Sequence, residues 1–415
     1  MPRSGWVKSA SGDRLPDRVS IGALTRVFPP SLVDAVLVDV NRVERRRRSL
    51  PARLMVYYVL AMALFSDSSY EEVMRQLTEG LAWASPGEGR EEWRVPDKAA
   101  IFRARQRLGV EPLEALFDGA CRPLADVSTP GAFYRGLRLT ALDGTCLAVA
   151  DTAANEAVFG RPGSRRRAGG GAFPQLRLVG LCEIGTHALV RVAMGPYRTS
   201  ERALADQLVP DLEAGTLCLA DRGFYSFDRF RLARDSGAEL LWRVSLRVHL
   251  AREAELPDGS CLSTLKPARR AGHKRHPGLS VRVIEYTLAG EAAADESGAA
   301  EPTRYRLVTT LLNPEEAPAA ELAALYRQRW EIENALDELK THQLGPSVVL
   351  RSKTPNGVLQ EAYGFLLTHY AIRRIMHEAA LEAQLDPDRL SFMRSLRAAR
   401  RSTRASTGFP PQEPT

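Results

Sequence analysis

The chain lacks the features of a secreted, zinc-stabilised or membrane-spanning protein. Its 415 residues include five scattered cysteines and no CxxC pair, which argues against a zinc ribbon or a disulfide framework and fits a reducing compartment. The N-terminus MPRSGWVKSASGDR has no apolar core of a signal peptide. The longest apolar run, residues 50–65, contains Arg53 and is too short to span a bilayer. These absences predict a cytoplasmic protein in which that run is a buried helix.

Lysine is also scarce, whereas arginine is abundant. Only six of the 57 basic residues are Lys, and the 50 acidic residues leave a net charge of +7. A mild basic excess favours a polyanionic partner such as nucleic acid but says nothing about fold. A GC-rich genome would produce the same arginine bias, so arginine content alone is weak support. The 44% hydrophobic and 26% charged residues are typical of a folded protein of two or three domains.

The spacing of apolar residues divides the chain into six regions. Helical spacing predicts an all-α N-terminal domain, whereas a hairpin followed by alternating helix and strand predicts an α/β domain with a mixed sheet. A stretch with β-like alternation interrupts the α/β domain and predicts a β-rich insertion. In chain order the regions are a flexible tail (1–20), the helical domain (21–130), the first part of the α/β domain (131–245), the insertion (246–315), the helical second part of the α/β domain (316–385) and a basic, then proline-rich tail (386–415).

Two aspartates occupy positions where a hydrophobic core does not favour charge. Asp143 lies within LTALDGTCLAVA and Asp221 ends LCLADRGF, so both are predicted as acids at strand ends. A buried charge without a partner is costly, yet an Asp at a strand end is also a common turn former. For each aspartate alone, the turn interpretation has the better odds. A helical glutamate next to the core changes that balance.

That glutamate is Glu333, within the stretch YRQRWEIENALDELK at residues 326–340. A helix turns by about 100° per residue, and four polar side chains then fall within an arc of about 60° beside the buried face. Asp337 shares this stripe and competes with Glu333 as the functional acid, whereas Glu331 points away. The four residues of the stripe are Tyr326, Arg329, Glu333 and Lys340.

Three carboxylates that converge on one point repel each other unless a cation lies between them. We expect Asp143, Asp221 and Glu333 to bind two Mg²⁺ ions, with Mn²⁺ as a substitute, because Mg²⁺ prefers oxygen ligands and binds substrate phosphates. Two such ions about 3.5–4 Å apart activate a water or a 3′-hydroxyl and stabilise the leaving oxygen of a phosphodiester. The pattern therefore predicts metal-dependent chemistry on a nucleic acid.

The spacing Tyr326-x2-Arg329-x3-Glu333-x6-Lys340 resembles the Y-x2-R-x3-E-x6-K signature of DDE transposases of the insertion-sequence-four family. Asp143 in LDGT and Asp221 in ADRGFYS are similar to the two aspartates of that family, and the resemblance covers roughly residues 25–400. It implies an α/β fold, with an RNase H-like catalytic domain that contains a β-rich insertion and follows an all-α N-terminal domain. It also implies that the two aspartates and Glu333 are the catalytic, metal-binding triad.

The signature helix also supplies candidates for DNA binding. We expect Arg329 and Lys340 to bind phosphates, and Tyr326 to donate a hydrogen bond to the DNA backbone or pack against a sugar. Trp330 either stacks on a flipped base or packs in the core, and for Trp242 the core is favoured.

Further basic residues outside the signature helix have two interpretations each. Three arginines of DKAAIFRARQRLG lie on a recognition helix or on an ordinary amphipathic helix, with a slight preference for DNA contact. Two arginines of GRPGSRRRAGGG bind phosphates or belong to a solvated loop, with even odds. Arg222 binds a phosphate or forms a surface ion pair. The two groups of arginines are Arg103, Arg105 and Arg107, and Arg165 and Arg166.

We expect a transposase that binds the ends of an insertion sequence and performs cut-and-paste transposition by metal-dependent strand cleavage and strand transfer. Its partner would be double-stranded DNA, as terminal inverted repeats and as target. We expect a homodimer on paired DNA ends and a bacterial cytoplasmic protein that is associated with the nucleoid when bound to DNA. Two rivals are a DNA end-binding protein without transposition activity and a plain metal-dependent nuclease. A tyrosine recombinase is disfavoured because no HxxR pairing precedes a late, isolated Tyr.

Overall fold

The computed structural model begins with a helical region. Its helices pack around one long buried helix, α3, in which Leu54 to Leu64 are all buried, as the apolar run predicted. The structure describes residues 22–44, 46, 48–82, 95–162, 172–267, 277–294, 300–345 and 349–405. The helices of this region are α1 (Ala23–Val27), α2 (Pro30–Asp39), α3 (Ala52–Leu64), α4 (Tyr70–Ala82), α5 (Lys98–Leu108) and α6 (Glu111–Ala120).

Local sequence signals explain where α5 begins and ends. The side chain of Asp97 accepts a hydrogen bond from Ala100 N at the start of α5, which satisfies one of the free N–H groups of the first turn. Gly109 ends the helix with φ +76°, a conformation that suits glycine. Gly109 therefore marks the C-terminal end of α5.

A second long helix, α12, joins the helical region to the rest of the molecule. α12 (Pro355–Glu382) crosses α3 at Gly364. A Cβ on Gly364 would lie 2.8 Å from Val59 Cγ1 and 2.9 Å from Val59 O, so glycine permits the close approach of the two helices. Among the residues that the structure describes, no helix is long and apolar enough to cross a membrane.

The centre of the molecule is one 11-stranded mixed sheet. Its strand order is β4-β3-β2-β5-β6-β10-β9-β8-β7, with β1 and β11 also paired to β2. The strands are β1 (Phe133–Tyr134), β2 (Leu137–Val149), β3 (Gln175–Glu183), β4 (Ala188–Pro196), β5 (Thr216–Ala220), β6 (Glu239–Arg243), β7 (Ala254–Glu255), β8 (Cys261–Leu265), β9 (Leu279–Ala294), β10 (Ala300–Thr309) and β11 (Val349–Leu350).

Strands β2 to β6 form the half of the sheet that carries the predicted acids. β2, β3 and β4 are an antiparallel meander, and β5 and β6 then continue the sheet parallel to β2. The hairpin predicted around Gly185 and Thr186 joins β3 to β4, with Gly185 at φ +85°. This arrangement agrees with the expected α/β fold with a mixed sheet.

The predicted insertion is β-rich, but it is continuous with the central sheet. β10 pairs antiparallel with β6, with Val308 opposite Trp242. β9, β8 and β7 then extend the same sheet by antiparallel pairing. The hydrogen-bonding edge of β6 is therefore covered by insertion strands rather than left open.

The structure differs from the sequence predictions at two places in the C-terminal half. The signature segment is not a uniform helix, because a 3-10 turn (Arg327–Arg329) and a π-helical segment (Glu338–Gln343) flank α11. The predicted tail contains a helix, α13, whose buried Phe392, Leu396 and Ala399 pack against the body of the molecule. The remaining helices are α7 (Ala153–Phe159), α8 (Glu201–Leu208), α9 (Phe227–Asp235), α10 (Ala319–Tyr326), α11 (Trp330–Asp337) and α13 (Phe392–Ala405).

Candidate active site

Asp143 and Asp221 are neighbours on adjacent parallel strands. Leu142 of β2 is in register with Ala220 of β5, so the two following residues, both aspartates, are placed side by side about 5 Å apart along the hydrogen-bonding direction. Asp221 follows the last residue of β5, as predicted. Asp143 is not at a strand end, because β2 continues to Val149 through its pairing with β3; only its pairing with β5 stops there.

Arg329 connects the first aspartate to the helical glutamate. Its Nη1 lies 3.6 Å from Asp143 Oδ2, and its Nη2 donates a 2.7 Å hydrogen bond to Glu333 Oε1. Arg329 is only 7% exposed, so this guanidinium is an internal cation shared by two carboxylates. The positive charge of Arg329 reduces the repulsion between the carboxylates of Asp143 on β2 and Glu333 on α11.

A second arginine and a tyrosine contact Asp221. Arg243 Nη1 lies 3.6 Å from Asp221 Oδ1, and the Tyr326 hydroxyl lies 3.5 Å from the same oxygen and 3.4 Å from Ala220 O. The guanidinium of Arg243 also stacks over Tyr305, 4.1 Å from the ring centroid. Burial raises the pKa of Tyr326, so its hydroxyl remains a neutral donor.

The electrostatics of Asp143 favour a cation at this position. Burial raises the pKa of Asp143 to about 6, and the nearby charges of Glu333 and Glu201 add to the increase, although the Gly144 N–H and Arg329 oppose it. An aspartate with such a raised pKa pays a free-energy cost for ionisation, which added positive charge reduces. The donor set consists of carboxylate oxygens alone, which suits a hard divalent ion such as Mg²⁺.

Three of the predicted DNA contacts lie inside the protein. Tyr326 and Arg329 are buried and contact carboxylates of the triad. Arg105 is 6% exposed and donates hydrogen bonds to Gln360 Oε1 at 3.1 Å, to Ser352 Oγ at 3.1 Å and to Gly357 O at 2.9 Å. It lies on the inner face of α5 and joins that helix to α12.

The other candidates remain predictions of DNA contact. Trp330 is 57% exposed, beside Arg329, whereas Trp242 is fully buried against Phe230; the expectation that Trp242 packs in the core is confirmed. Arg165 and Arg166 lie outside the described residues. Arg222, Arg103 and Arg107 are exposed, and Lys340 is partly buried.

Sequence reasoning missed Arg243 and Glu201. Arg243 ends β6 as Asp221 follows β5, and the register of Ala220 with Trp242 makes the two charges neighbours. The sequence signal that could have identified Arg243 is a charged residue at the end of a second buried strand. Glu201, at the start of α8, has no comparable signal, because its proximity to Asp143 depends on how α8 packs on the sheet.

Two adjacent strand acids and a helical glutamate on an α/β sheet define a DDE-type polynucleotidyl transferase, and the comparisons agree. Residues 134–370 match the model of the transposase DDE domain, and residues 18–118 match that of the insertion element 4 transposase N-terminal region. The chain belongs to the insertion element 4 family of DDE transposases. Membership in a DDE family implies the use of divalent metal ions.

Curated relatives support this assignment. The chain is 31% identical to "Transposase InsG for insertion sequence element IS4" of Escherichia coli (strain K12), over 91% of this chain and 82% of that protein. It is 28% identical to "Putative transposase InsZ" of the same organism, over 50% of this chain and 66% of that protein. Among solved structures, a piggyBac transposase synaptic complex with hairpin DNA matches with a TM-score of 0.47 and 11% identity, covering 94% of this chain and 82% of that one.

Proposed function

We propose that the protein binds the ends of an insertion sequence and catalyses metal-dependent DNA cleavage and strand transfer. The observation that carries the proposal is the placement of Asp143 beside Asp221, with Glu333 linked to Asp143 through the buried Arg329. A structural ion-pair network alone would not require three acids next to a sheet centre, because burying unpaired charge is costly. The relative that matches 91% of this chain is named as a transposase.

Asp143, Asp221 and Glu333 are the residues that would hold two Mg²⁺ ions. When bound, such ions activate a water or a 3′-hydroxyl and stabilise the leaving oxygen of a phosphodiester. Arg329 is a positioning residue, since its guanidinium fixes Glu333 and faces Asp143. Tyr326 and Arg243 play the same part at Asp221.

Double-stranded DNA is the substrate that we propose for this centre. Arg222 follows Asp221 directly and is exposed, and Trp330 is exposed beside the triad arginine. The exposed Arg103 and Arg107 of α5 extend the basic surface to the helical region, where a helix-based contact with DNA is physically suitable. Pairing of two DNA ends by a homodimer completes the proposal.

The test is a cleavage and joining assay on a labelled duplex that carries the flanking ends of the gene. Wild-type protein in Mg²⁺ is expected to give nicked and joined products, and Glu333→Gln is expected to lose both by at least about 10³-fold while it still binds DNA. The matched control is Asp337→Asn, another acid of the same helix, which is expected to remain within about threefold of wild type.

Each alternative outcome points to a different function. Cleavage without joining would identify a plain nuclease. Specific binding without cleavage in either Mg²⁺ or Mn²⁺ would identify an end-binding protein. Loss of cleavage in Asp337→Asn but not in Glu333→Gln would show that the wrong acid has been assigned to the triad.

A further inference from the structure

A second group of possible metal ligands lies on the other side of α11. It consists of His187, in the turn between β3 and β4, Glu331, on α11, and Asp388, in the 3-10 turn (Pro387–Arg389) that follows α12. We call it the rear cluster. One atom from each of the three side chains lies within 4.8 Å of the other two. Three segments that are distant in sequence thus present ligand atoms to one point.

The separations in the rear cluster fit tetrahedral coordination. His187 Nε2 lies 3.5 Å from Glu331 Oε2 and 3.3 Å from Asp388 Oδ1. Ligands about 2.1 Å from a tetrahedral Zn²⁺ lie about 3.4 Å from each other, whereas adjacent ligands at that distance in an octahedron are about 3.0 Å apart. The two separations from His187 Nε2 match the tetrahedral value, and the third is within 4.8 Å.

The imidazole nitrogen that faces the two carboxylates lies within ion-pair distance of both but makes no hydrogen bond of acceptable geometry with either. His187 is 6% exposed, and its Nε2 is a buried atom that forms no hydrogen bond of acceptable geometry. A buried polar atom without a partner is expensive and calls for a ligand. The backbone supports this orientation, because His187 has φ +58°, and the neighbouring Gly185 N–H donates to Glu331 Oε2 at 2.9 Å.

The surroundings of the ring resemble the outer shell of a metal-bound histidine. The other ring nitrogen, Nδ1, lies 3.8 Å from Glu338 Oε1, and a ligating histidine commonly donates that N–H to a carboxylate. Arg373 donates to Nδ1 and pairs with Glu338, so without a metal ion the ring proton is on Nε2. Metal binding at Nε2 therefore moves this proton to Nδ1, which then donates to Glu338 instead of accepting from Arg373. The local charges of Glu331, Glu338, Asp388 and Arg373 sum to −2, which a divalent cation neutralises.

We propose that His187, Glu331 and Asp388 bind a Zn²⁺-like divalent ion, distinct from the ions of the catalytic triad. A mixed imidazole and carboxylate donor set favours Zn²⁺ over Mg²⁺, and a water completes the tetrahedron on the exposed side of Asp388. The ion links the β3–β4 turn and the C-terminal turn to Glu331 of α11, which is two residues from Glu333. Its role is to fix the position of the helix that carries the third catalytic acid.

The test measures zinc binding in a protein whose triad is silenced. The chain with Asp143→Asn, Asp221→Asn and Glu333→Gln is dialysed against Zn²⁺ and its metal content is measured, followed by thermal unfolding with and without the ion. We expect one Zn²⁺ per chain, a Tm that rises with Zn²⁺, and a visible spectrum of tetrahedral Co²⁺ when Co²⁺ replaces Zn²⁺.

Two further variants separate ligand loss from misfolding. His187→Asn keeps a residue type that tolerates positive φ, and Asp388→Asn keeps the shape of a partly exposed side chain; each is expected to weaken Zn²⁺ binding at least 100-fold. His342→Ala, an exposed histidine of the π-helical segment, is the control and is expected to bind normally. A triad-silenced chain that retains no zinc, or retains it equally with His187→Asn and Asp388→Asn, would overturn the proposal.

Discussion

Acidic side chains lie on both sides of the segment 330–343, and their charge is balanced in different ways on the two sides. On the catalytic side, the arginine contacts to Asp143 and Asp221 are both 3.6 Å long. On the rear side, Glu338 is 8% exposed, accepts from Arg373 Nε at 2.8 Å and lies 3.1 Å from His369 Nε2. The two aspartates of the first side have loose partners, although Glu333 accepts a 2.7 Å hydrogen bond from Arg329, whereas Glu338 of the second side is fully paired.

This difference separates acids that stabilise the fold from acids that are available for chemistry. Although burial alone would raise it, the contacts from His187, His369 and Arg373 hold the pKa of Glu338 well below its usual range. Burial instead raises the pKa of Asp143 to about 6. A carboxylate with a depressed pKa already has its cations, whereas one with a raised pKa gains from an added cation.

Glu338→Gln is expected to cause the largest loss of stability on this segment. The substitution leaves the guanidinium of Arg373, which is 2% exposed, without its anionic partner, and breaking a buried pair in this way costs about 3–5 kcal/mol. Urea unfolding should show a lower midpoint with an unchanged m-value. Glu333→Gln, measured without divalent ions, is the control from the catalytic side and is expected to cost less than about 1 kcal/mol. Equal losses of unfolding free energy in Glu338→Gln and Glu333→Gln would show that the acids on the two sides contribute equally to stability.

Asp143→Asn is expected to stabilise the metal-free protein, and only above acidic pH. The folded-state pKa of about 6 exceeds the ordinary value of 3.8, so wild-type stability falls as pH rises between these values and the deficit is complete above pH 6. Asn does not titrate, and its side-chain oxygen still accepts from Gly144 N. The gain at pH 8 should be at most about 3 kcal/mol.

Thermal unfolding in chelator at pH 4 and pH 8 measures this effect. The Tm difference between Asp143→Asn and wild type should be near zero at pH 4 and several degrees at pH 8. Mg²⁺ should then reduce it, because only wild type offers the ionised carboxylate. A difference that is independent of pH would mean that burial does not raise the pKa of Asp143.

The catalytic side was largely predictable from sequence, and the rear side was not. Asp143, Asp221 and Glu333 stand out only in combination, because each aspartate alone is better explained as a turn former and the helical glutamate changes that balance. Tyr326 and Arg329 were identified by spacing, but spacing did not reveal their contacts with Asp221, Glu333 and Asp143. A polar side chain at the border of the buried face can turn inward when a carboxylate lies there. The choice depends on tertiary partners, which helical periodicity does not encode.

The rear cluster combines residues whose proximity no local pattern reveals. His187 lies in a hairpin turn and Asp388 lies beyond the last predicted helix, in a region taken for a tail. The helix α13 was not predicted because its many arginines indicate a basic tail, although Phe392, Leu396 and Ala399 have helical spacing. The continuity of the insertion with the central sheet was equally invisible, since strand pairing between β6 and β10 joins residues more than 60 positions apart.

Lys340→Ala gives the smallest expected effect and tests how far the catalytic side extends along the segment. Lys340 lies in the π-helical segment, near Cys146 on β2, three residues after Asp143. Burial raises the pKa of the Cys146 thiol, and the positive charge of Lys340 opposes that increase. If its ammonium contacts one DNA phosphate, removal should reduce the slope of log K against log[salt] by about 0.9 and weaken binding equally for all sequences. Lys353→Ala, an exposed lysine outside the signature, should leave the slope unchanged. An unaltered slope in Lys340→Ala would confine the DNA-binding side chains of this segment to its N-terminal part, where Trp330 is exposed.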